Sequence, residues 1–243
     1  MSIIKLNATD STNTYLKSLA LSQVLDDFTI VSADLQHKGR GQMGAEWVSD
    51  KGKNLTISIL KKLDAFHITN QFDLNCLVSL AIYGVLYEMK VPNLSIKWPN
   101  DILSGNQKIC GILIESVIQR SKLNAMIIGV GLNVNQTQWQ GLPRATSIKK
   151  ETGIHFDLEE ILTMLLHQFH HYVQLLLDGK FDEIKNAYEA CLFKKDKPAT
   201  FITNNKQHFV GIIKGVTNSG KLILLEEDNV INEYDLKQIQ LLY

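Results

Sequence analysis

The sequence predicts an α+β fold: a mixed, largely antiparallel sheet flanked by helices, with a small β-barrel at its C-terminal end. Two observations predict it. Strand-like and helix-like patterns are segregated along the chain instead of alternating, which is typical of α+β domains. After residue 193 the pattern changes to short apolar runs separated by turn-forming residues. We therefore expect a main domain over residues 1–193 and a small β-barrel over residues 194–243.

The composition indicates a globular protein and excludes several classes. The 243 residues carry 25 Lys and Arg against 25 Asp and Glu, so the excess positive charge of a dedicated nucleic-acid binder is missing and we expect no DNA partner. No apolar stretch suits a signal peptide or a membrane span, which predicts no membrane partner. Because Cys76, Cys110 and Cys191 form no CxxC pair, they predict neither disulfides nor a zinc site, and the expected compartment is the reducing cytoplasm.

The N-terminal part predicts a strand, a helix and a second strand, followed by a loop. Residues 3–6 form a short apolar run, and the side-chain oxygens of residues 10–12 are suited to cap a helix over the next two turns. Residues 28–35 have the pattern of a buried strand. Residues 36–46, which we call the glycine loop, contain three glycines and two cations with little apolar material, so we expect a mobile loop.

The middle of the chain predicts the core. Residues 54–60 alternate as a strand does, and residues 72–89 carry apolar side chains at helical spacing. Three apolar strands are predicted over residues 94–98, 109–117 and 125–132, with a turn at residues 104–106 joining the first two into an antiparallel sheet.

Two helices and four short strands complete the prediction. Asp157 is suited to cap a helix ending near residue 178, and a second helix is predicted over residues 181–192. The barrel strands are expected at residues 200–203, 209–215, 222–226 and 230–234.

The glycine loop is a candidate anion site. Gly39, Gly41 and Gly44 permit close approach of a ligand to the backbone, and Arg40 places a cation among exposed N–H groups, which suits a phosphate or a carboxylate. Neither common nucleotide-binding signature is present. A flexible surface loop without a ligand is the alternative interpretation.

The run from Lys97 to Asp101 is more specific. A lysine at the end of an apolar strand can project its ammonium group into a pocket, where it would balance the charge of a phosphoryl group. The alternative is an ordinary exposed lysine at a strand end. No further catalytic signature is visible, and the three histidines between residues 167 and 171 lack partners at metal-ligand spacing, so we expect no metal site there.

Small and polar residues at two other places suit contact with a ligand. Gly131 and Asn133 close an apolar strand, where a ligand can lie against the backbone and be bound by hydrogen bonds; a β-bulge is the alternative. The hydroxyls of Ser11 and Thr12, with the amide of Asn13, either cap a helix or contact a polar ligand head.

Taken together, the order and spacing of these motifs resemble those of biotin protein ligases. The resemblance is sharp over residues 2–134 and looser through the C-terminal barrel. The motifs that carry it are Asp10-Ser11-Thr12-Asn13, Gln36 before Gly39-Arg40-Gly41-Gln42-Met43-Gly44 with Trp47 and Ser49, Lys97-Trp98-Pro99-Asn100-Asp101, Lys108 before Gly111-Ile112-Leu113-Ile114-Glu115, and Gly129-Val130-Gly131-Leu132-Asn133.

The resemblance implies a two-step reaction on a catalytic domain of the biotin/lipoate ligase fold followed by an SH3-like barrel. Biotin and MgATP would give biotinyl-5'-AMP, and a lysine of a biotin carboxyl carrier protein would then take the biotinyl group. Biotin, ATP and Mg would be substrates, without a permanently bound cofactor. The implied catalytic residues are Lys97 and Arg40, and the implied substrate contacts also include Ser11, Thr12, Asn13, Gln36, Gly39, Gly41, Gln42, Trp47, Gly111, Gly131 and Asn133.

Two departures from the family pattern bear on function. Many relatives carry further arginines in the glycine loop, where this chain has Gln42, Met43 and Ala45, which predicts a weaker grip on phosphate. The Ser-Thr-Asn motif already ends at residue 13, so we expect a monofunctional ligase without an N-terminal DNA-binding domain.

The alternatives are a lipoate or octanoate ligase or transferase of the same superfamily and a non-catalytic biotin-sensing module. A homodimer formed through edge strands of the sheet is also open.

Overall fold

The computed structural model describes residues 2–63, 71–119 and 122–243. Its helices are α1 Thr12–Ser22, α2 Gln71–Glu88, α3 Ile148–Thr152, α4 Leu158–Leu177 and α5 Phe181–Ala190. The strands of the first half are β1 Ile3–Leu6, β2 Ile30–Ala33, β3 Leu55–Lys62, β4 Leu94–Lys97, β5 Asp101–Ser104, β6 Gln107–Gln119 and β7 Lys122–Leu132. The C-terminal strands are β8 Pro198–Thr203, β9 His208–Val216, β10 Leu222–Leu225, β11 Ile231–Tyr234 and β12 Ile239–Leu242.

The large sheet has seven strands in the order β1-β2-β3-β7-β6-β5-β4. The pair β1 and β2 is parallel, and the other neighbours are antiparallel. The prediction of a mixed, largely antiparallel sheet is therefore confirmed. The central pair, β6 and β7, is the longest in this sheet, and its glycines face a cavity described below.

Helices cover both faces of the large sheet. On one face α2 packs against α4 and α5 and buries nearly its whole surface, as its all-round apolar sequence requires. On the other face α1 buries Leu16 against Val31, Leu60 and Ile127. Ser11 caps α1, and Asp157 accepts a hydrogen bond from the backbone N–H of Glu159 at the start of α4, so both predicted caps are confirmed.

The five C-terminal strands form their own antiparallel sheet in the order β11-β10-β9-β8-β12. The turn before β10 touches the main sheet, because Trp98 Nε1 donates a hydrogen bond of 2.9 Å to the carbonyl of Gly220. Gly220 has φ +89°, and a Cβ there would lie 2.5 Å from Cγ of Phe72, so this contact requires a glycine. The proposed division at residue 193 stays a prediction.

Three elements were missed by the sequence prediction. The strand β5 has only two apolar residues, and α3 spans one and a half turns, so neither gives a periodic signal. The last strand, β12, is stabilised by pairing with β8, over thirty residues earlier. As a result the turn at Ser104–Asn106 connects β5 to β6, whereas β4 reaches β5 through a cis Trp98–Pro99 peptide bond.

The three cysteines differ in burial. Cys76 and Cys110 are buried, and Cys191 is half buried; all three thiols are free. Burial raises the pKa of each thiol above its ordinary value.

No helix within the described ranges is long and apolar enough to cross a membrane. The three histidines of α4, His167, His170 and His171, are exposed, as predicted.

Candidate active site

A cavity of about 190 Å³ lies where the start of α1, the glycine loop and three central strands meet. Polar side chains come from α1, and the strands contribute Thr56, Gly111 and Gly131 among others. Because glycines have no side chain, the ligand space reaches the backbone of β6 and β7. The cavity therefore offers a polar end, a flat floor and a loop that crosses it.

The polar end is a connected hydrogen-bond network. The backbone N–H and the hydroxyl of Thr12 both donate to Gln36 Oε1, at 2.8 and 3.0 Å. The Ser58 hydroxyl lies 2.8 Å from Thr12 Oγ1 and 2.6 Å from Asn13 Oδ1. Ser11, Thr12 and Asn13 are each at most 4% exposed, so their polar groups face the cavity or one another. Ser11 both caps α1 and lines the cavity.

The glycine loop forms a small hairpin in this structure. The N–H of Trp47 donates to the carbonyl of Gly39 at 2.9 Å, and the N–H of Gly41 donates to the carbonyl of Ala45 at 2.6 Å. A Cβ on Gly39 would lie 2.3 Å from the Trp47 carbonyl oxygen, so this hairpin requires glycine at residue 39. The loop predicted to be mobile thus has a defined folded form.

The indole of Trp47 lies on the floor of the cavity. A Cβ on Gly131 would be 2.3 Å from Trp47 Cε2, and one on Gly111 would be 3.3 Å from Trp47 Cζ3. Glycine is therefore required at residue 131 by the indole itself. Trp47 Nε1 is buried and has no hydrogen-bond partner among the described residues. A polar ligand atom would satisfy this donor.

The lysine that lines the cavity is Lys108, near the start of β6. Its Nζ lies 2.6 Å from Asp101 Oδ1 and 5.7 Å from the centre of the Trp47 ring. A β-bulge leaves Ile109 without a partner in β5, since Leu103 pairs with Lys108 and Ile102 with Cys110. This extra residue changes the alternation of side chains and brings Lys108 to the same face as Gly111.

Lys97 lies outside this cavity. It is on the edge strand β4, where its Nζ is 3.6 Å from Asp101 Oδ2, and it borders a second cavity of about 430 Å³ between the main sheet and the C-terminal sheet. Its ammonium group also lies 5.4 Å from the ring centre of Tyr243, and the Arg144 guanidinium lies 4.9 Å from the same ring. Burial raises the pKa of the Tyr243 hydroxyl.

Arg40 is the second cation of the main cavity. Its guanidinium donates a hydrogen bond of 2.8 Å to Glu115 Oε2, and Asn13 Nδ2 donates to the same oxygen, also at 2.8 Å. Among the described residues, the cavity lining thus includes two cations, Arg40 and Lys108, each paired with one carboxylate. A negatively charged ligand placed between them would be stabilised by charges that are already in position.

Of the residues predicted from the sequence, ten line the cavity: Ser11, Thr12, Asn13, Gln36, Arg40, Gly41, Gln42, Trp47, Gly111 and Gly131. Gly39 does not line the cavity but permits the close backbone contact with Trp47 in the loop hairpin. Lys97 contacts Asp101 from the side away from the cavity. Asn133 lies deeper, where its Nδ2 donates to the Thr146 carbonyl and its Oδ1 has no partner in the described part of the chain.

Sequence reasoning missed Asn100, Asp101 and Lys108 as members of the cavity. Each belongs to a motif that the sequence singled out, so the signal was present. What was missing was the pairing of β5 with β6, which determines the face that each side chain takes. Asn100 is held on that edge by reciprocal hydrogen bonds with the backbone of Ile112.

Comparison with known proteins gives one consistent family. The sequence model of the biotin/lipoate A/B protein ligase family matches residues 6–133. The chain is 34% identical over 223 residues to the biotin–[acetyl-CoA-carboxylase] ligase of Paracoccus denitrificans, which covers 89% of this chain and 91% of that relative. It is 26% identical over 235 residues to the bifunctional ligase/repressor BirA of Escherichia coli strain K12, covering 96% of this chain and 72% of BirA.

A solved structure has the same architecture. Biotin protein ligase from Aquifex aeolicus, in complex with biotin and ATP, superposes with a TM-score of 0.83 at 27% identity. The superposition covers 99% of this chain and 98% of that chain, so it includes both the large sheet and the C-terminal sheet.

Proposed function

Because the chain belongs to the biotin/lipoate A/B protein ligase family, we propose that it is a biotin protein ligase that makes biotinyl-5'-AMP from biotin and MgATP. In the first step a carboxylate oxygen of biotin attacks the α-phosphorus of ATP; an O–P bond forms, and the bond to the β-phosphate breaks to release pyrophosphate. In the second step the amine of a carrier-protein lysine attacks the acyl carbon, which forms an amide and releases AMP.

The cation pair of the main cavity is the observation that carries this proposal. A carboxylate that attacks a phosphoanhydride brings two anions together, and this requires positive charge at the reacting atoms. Lys108 and Arg40 both line the cavity beside its polar end. Their position supports direct contact with the biotin carboxylate and the α-phosphate, and it favours Lys108 over Lys97 for the lysine role.

The polar end of the cavity suits the head of biotin. A bicyclic urea presents one carbonyl and two N–H groups, which match the hydroxyls of Ser11 and Thr12 and the amide of Gln36. The apolar part of the ligand would lie against the Trp47 indole, which itself packs on Gly131. Asn133 does not line the cavity, so its contact with the ligand stays a prediction.

The glycine loop suits the protection of a water-sensitive intermediate. The mixed anhydride of biotinyl-5'-AMP reacts with water, so a lid that excludes water would preserve it until the carrier lysine arrives. Gly41 and Gln42 line the cavity from the loop side. Without the extra arginines of many relatives, this loop would hold the adenylate chiefly through Arg40.

The partner of the second step is a biotin carboxyl carrier protein. The chain acts in the cytoplasm, which its three free cysteines support, and it does not bind DNA, which its net charge of zero supports. A gel shift with promoter DNA of the organism's biotin genes, at physiological salt, tests whether the protein binds DNA.

Association of two copies through edge strands stays a prediction, which sedimentation velocity can check.

One experiment identifies the acyl group. The protein is incubated with a carrier domain, MgATP and either biotin, lipoate or octanoate, and the intact mass of the carrier is measured. We expect the mass of one biotinyl group and no modification by the other two acids. Modification by lipoate or octanoate would identify the chain as the related ligase or transferase. If the protein binds biotin but releases no pyrophosphate and modifies no carrier, it is a biotin sensor.

A further inference from the structure

One carboxylate connects the polar end of the cavity to the glycine loop. Glu115 Oε2 accepts hydrogen bonds from Asn13 Nδ2 and from the Arg40 guanidinium, both at 2.8 Å. We infer that Glu115 is a positioning residue that holds Arg40 over the cavity and couples the loop to the head-binding end. This inference rests on the proposed function for the role of the ligand, but not for the contact itself.

The position of Glu115 explains why it acts through other residues. It belongs to the central strand β6, where its backbone pairs with Ile127 of β7, so its place is rigid. Its side chain is 21% exposed and does not line the cavity, whereas both of its partners, Asn13 and Arg40, do. Glu115 therefore positions the side chains of Asn13 and Arg40, which face the cavity, but has no contact with the cavity itself.

The side-chain amide of Asn13, the other partner of Glu115, makes hydrogen bonds through both its nitrogen and its oxygen. Its amide N–H groups donate to Glu115 and to the Leu113 carbonyl, and its Oδ1 lies 2.6 Å from the Ser58 hydroxyl. A Cβ on Gly129 would lie 2.4 Å from Asn13 Oδ1, so the amide packs on the Gly129 backbone and requires a glycine there. Any shift of Asn13 on ligand binding must move a hydrogen bond of the carboxylate that holds Arg40.

The two cavity cations differ in how they are held. Lys108 is paired with Asp101, which itself lines the cavity and comes from the neighbouring strand. Arg40 comes from a loop, and the part of the chain that the structure describes contains one carboxylate that pairs with it, Glu115. The start of the loop is tied to the segment before α1 by the Lys38–Asp10 ion pair and by the backbone N–H of Lys38, which donates to the Asp10 carbonyl. The ion pair with Glu115 is the contact that fixes Arg40 to the central strand β6.

The inference predicts that removing Glu115 frees the loop before any ligand is added. We compare tryptic cleavage after Lys38 in the ligand-free protein and in Glu115→Ala. An ion pair of this exposure contributes up to about a fivefold change in an equilibrium, so we expect cleavage up to about fivefold faster in the variant. Glu115→Gln, which keeps one acceptor, should give an intermediate rate.

Three controls distinguish positioning from general loosening. Glu159→Gln removes the carboxylate of the exposed pair with Lys5 and should leave the cleavage rate unchanged. In an Arg40→Gln background, Glu115→Ala should add no further acceleration, because the two variants break the same contact. Thermal unfolding of Glu115→Ala should show a cooperative transition, as expected of a retained fold.

The kinetic readout applies to the ligase reaction. Glu115→Ala should raise the KM for biotin and shorten the lifetime of bound biotinyl-5'-AMP several-fold, with a smaller change in kcat for adenylate formation, and Glu115→Gln should recover part of the loss. Unchanged cleavage after Lys38, or an equal effect of Glu115→Ala with and without Arg40, would overturn the inference. The cleavage assay uses ligand-free protein. Its result therefore tests the role of Glu115 even if the proposed biotin ligase function is wrong.

Discussion

Lys97 and Lys108 lie on opposite sides of one carboxylate, Asp101. Lys108 Nζ is 2.6 Å from Oδ1, on the cavity side, and Lys97 Nζ is 3.6 Å from Oδ2, on the side of the C-terminal sheet. Only Lys108 of the two lines the main cavity. The lysine that lines the main cavity is therefore the one next to the β-bulge, and Lys97 contacts the same carboxylate from the side of the second cavity.

This arrangement predicts unequal effects of the two lysines on adenylate formation. Lys108→Ala should lower the rate of biotin-dependent pyrophosphate release by on the order of 10² or more, because it removes a charge at the transition state. Lys97→Ala should have a clearly smaller effect, since it acts through Asp101. The family resemblance implies Lys97 as the catalytic lysine, and a larger loss in Lys97→Ala than in Lys108→Ala in this assay would support that role instead.

Gly131 is predicted to accept no side chain. A Cβ there would lie 2.3 Å from Trp47 Cε2, so Gly131→Ala must displace the indole from the floor of the cavity. Overpacking of this kind costs ~1–3 kcal/mol, and we expect weaker biotin binding by isothermal titration. Gly84→Ala is the matched control, because its Cβ meets only the end of the Gln168 side chain. Equal affinity in both variants would contradict the assigned floor.

The glycine loop is predicted to close further when the adenylate binds. Arg40 then gains an anion, so the differential binding energy favours the ordered loop. Trypsin should cut after Lys38 and Arg40 more slowly in the presence of biotinyl-5'-AMP than in the free protein, with weaker protection by biotin alone. Equal cleavage rates in the free and adenylate-bound protein would mean that the loop is not a lid.

The three thiols are predicted to differ in reactivity. Burial raises the pKa of the Cys76 and Cys110 thiols, so both stay protonated and inaccessible at pH 8. Cys191 is half buried, and its hydrogen bond with Tyr83 opposes the effect of burial on its pKa. Iodoacetamide followed by peptide mass mapping should label Cys191 first, and labelling should speed up as the pH rises. Faster labelling of Cys76 or Cys110 in folded protein would refute this order.

Local patterns predicted most of the fold and the polar part of the site. The Ser-Thr-Asn cap, the glycine loop and the apolar spacing of α2 depend on neighbours within a few residues, so residue types were sufficient. The position of Lys108 depends on a bulge opposite β5, and the Arg40 to Glu115 pair joins residues 75 positions apart. Contacts of that kind are set by strand register, which no local pattern specifies.

The hydrogen bond from Trp98 to Gly220 limits how the ligase can be redesigned. A shortened enzyme that ends before β8 would lose the hydrogen-bond acceptor of the Trp98 indole and the packing of Gly220 on Phe72. A chimaera that exchanges the C-terminal sheet between relatives must carry a glycine at this turn together with a matching aromatic residue at position 98. Removing or exchanging the C-terminal sheet would therefore disturb the segment between β4 and β5, which determines the position of Asp101.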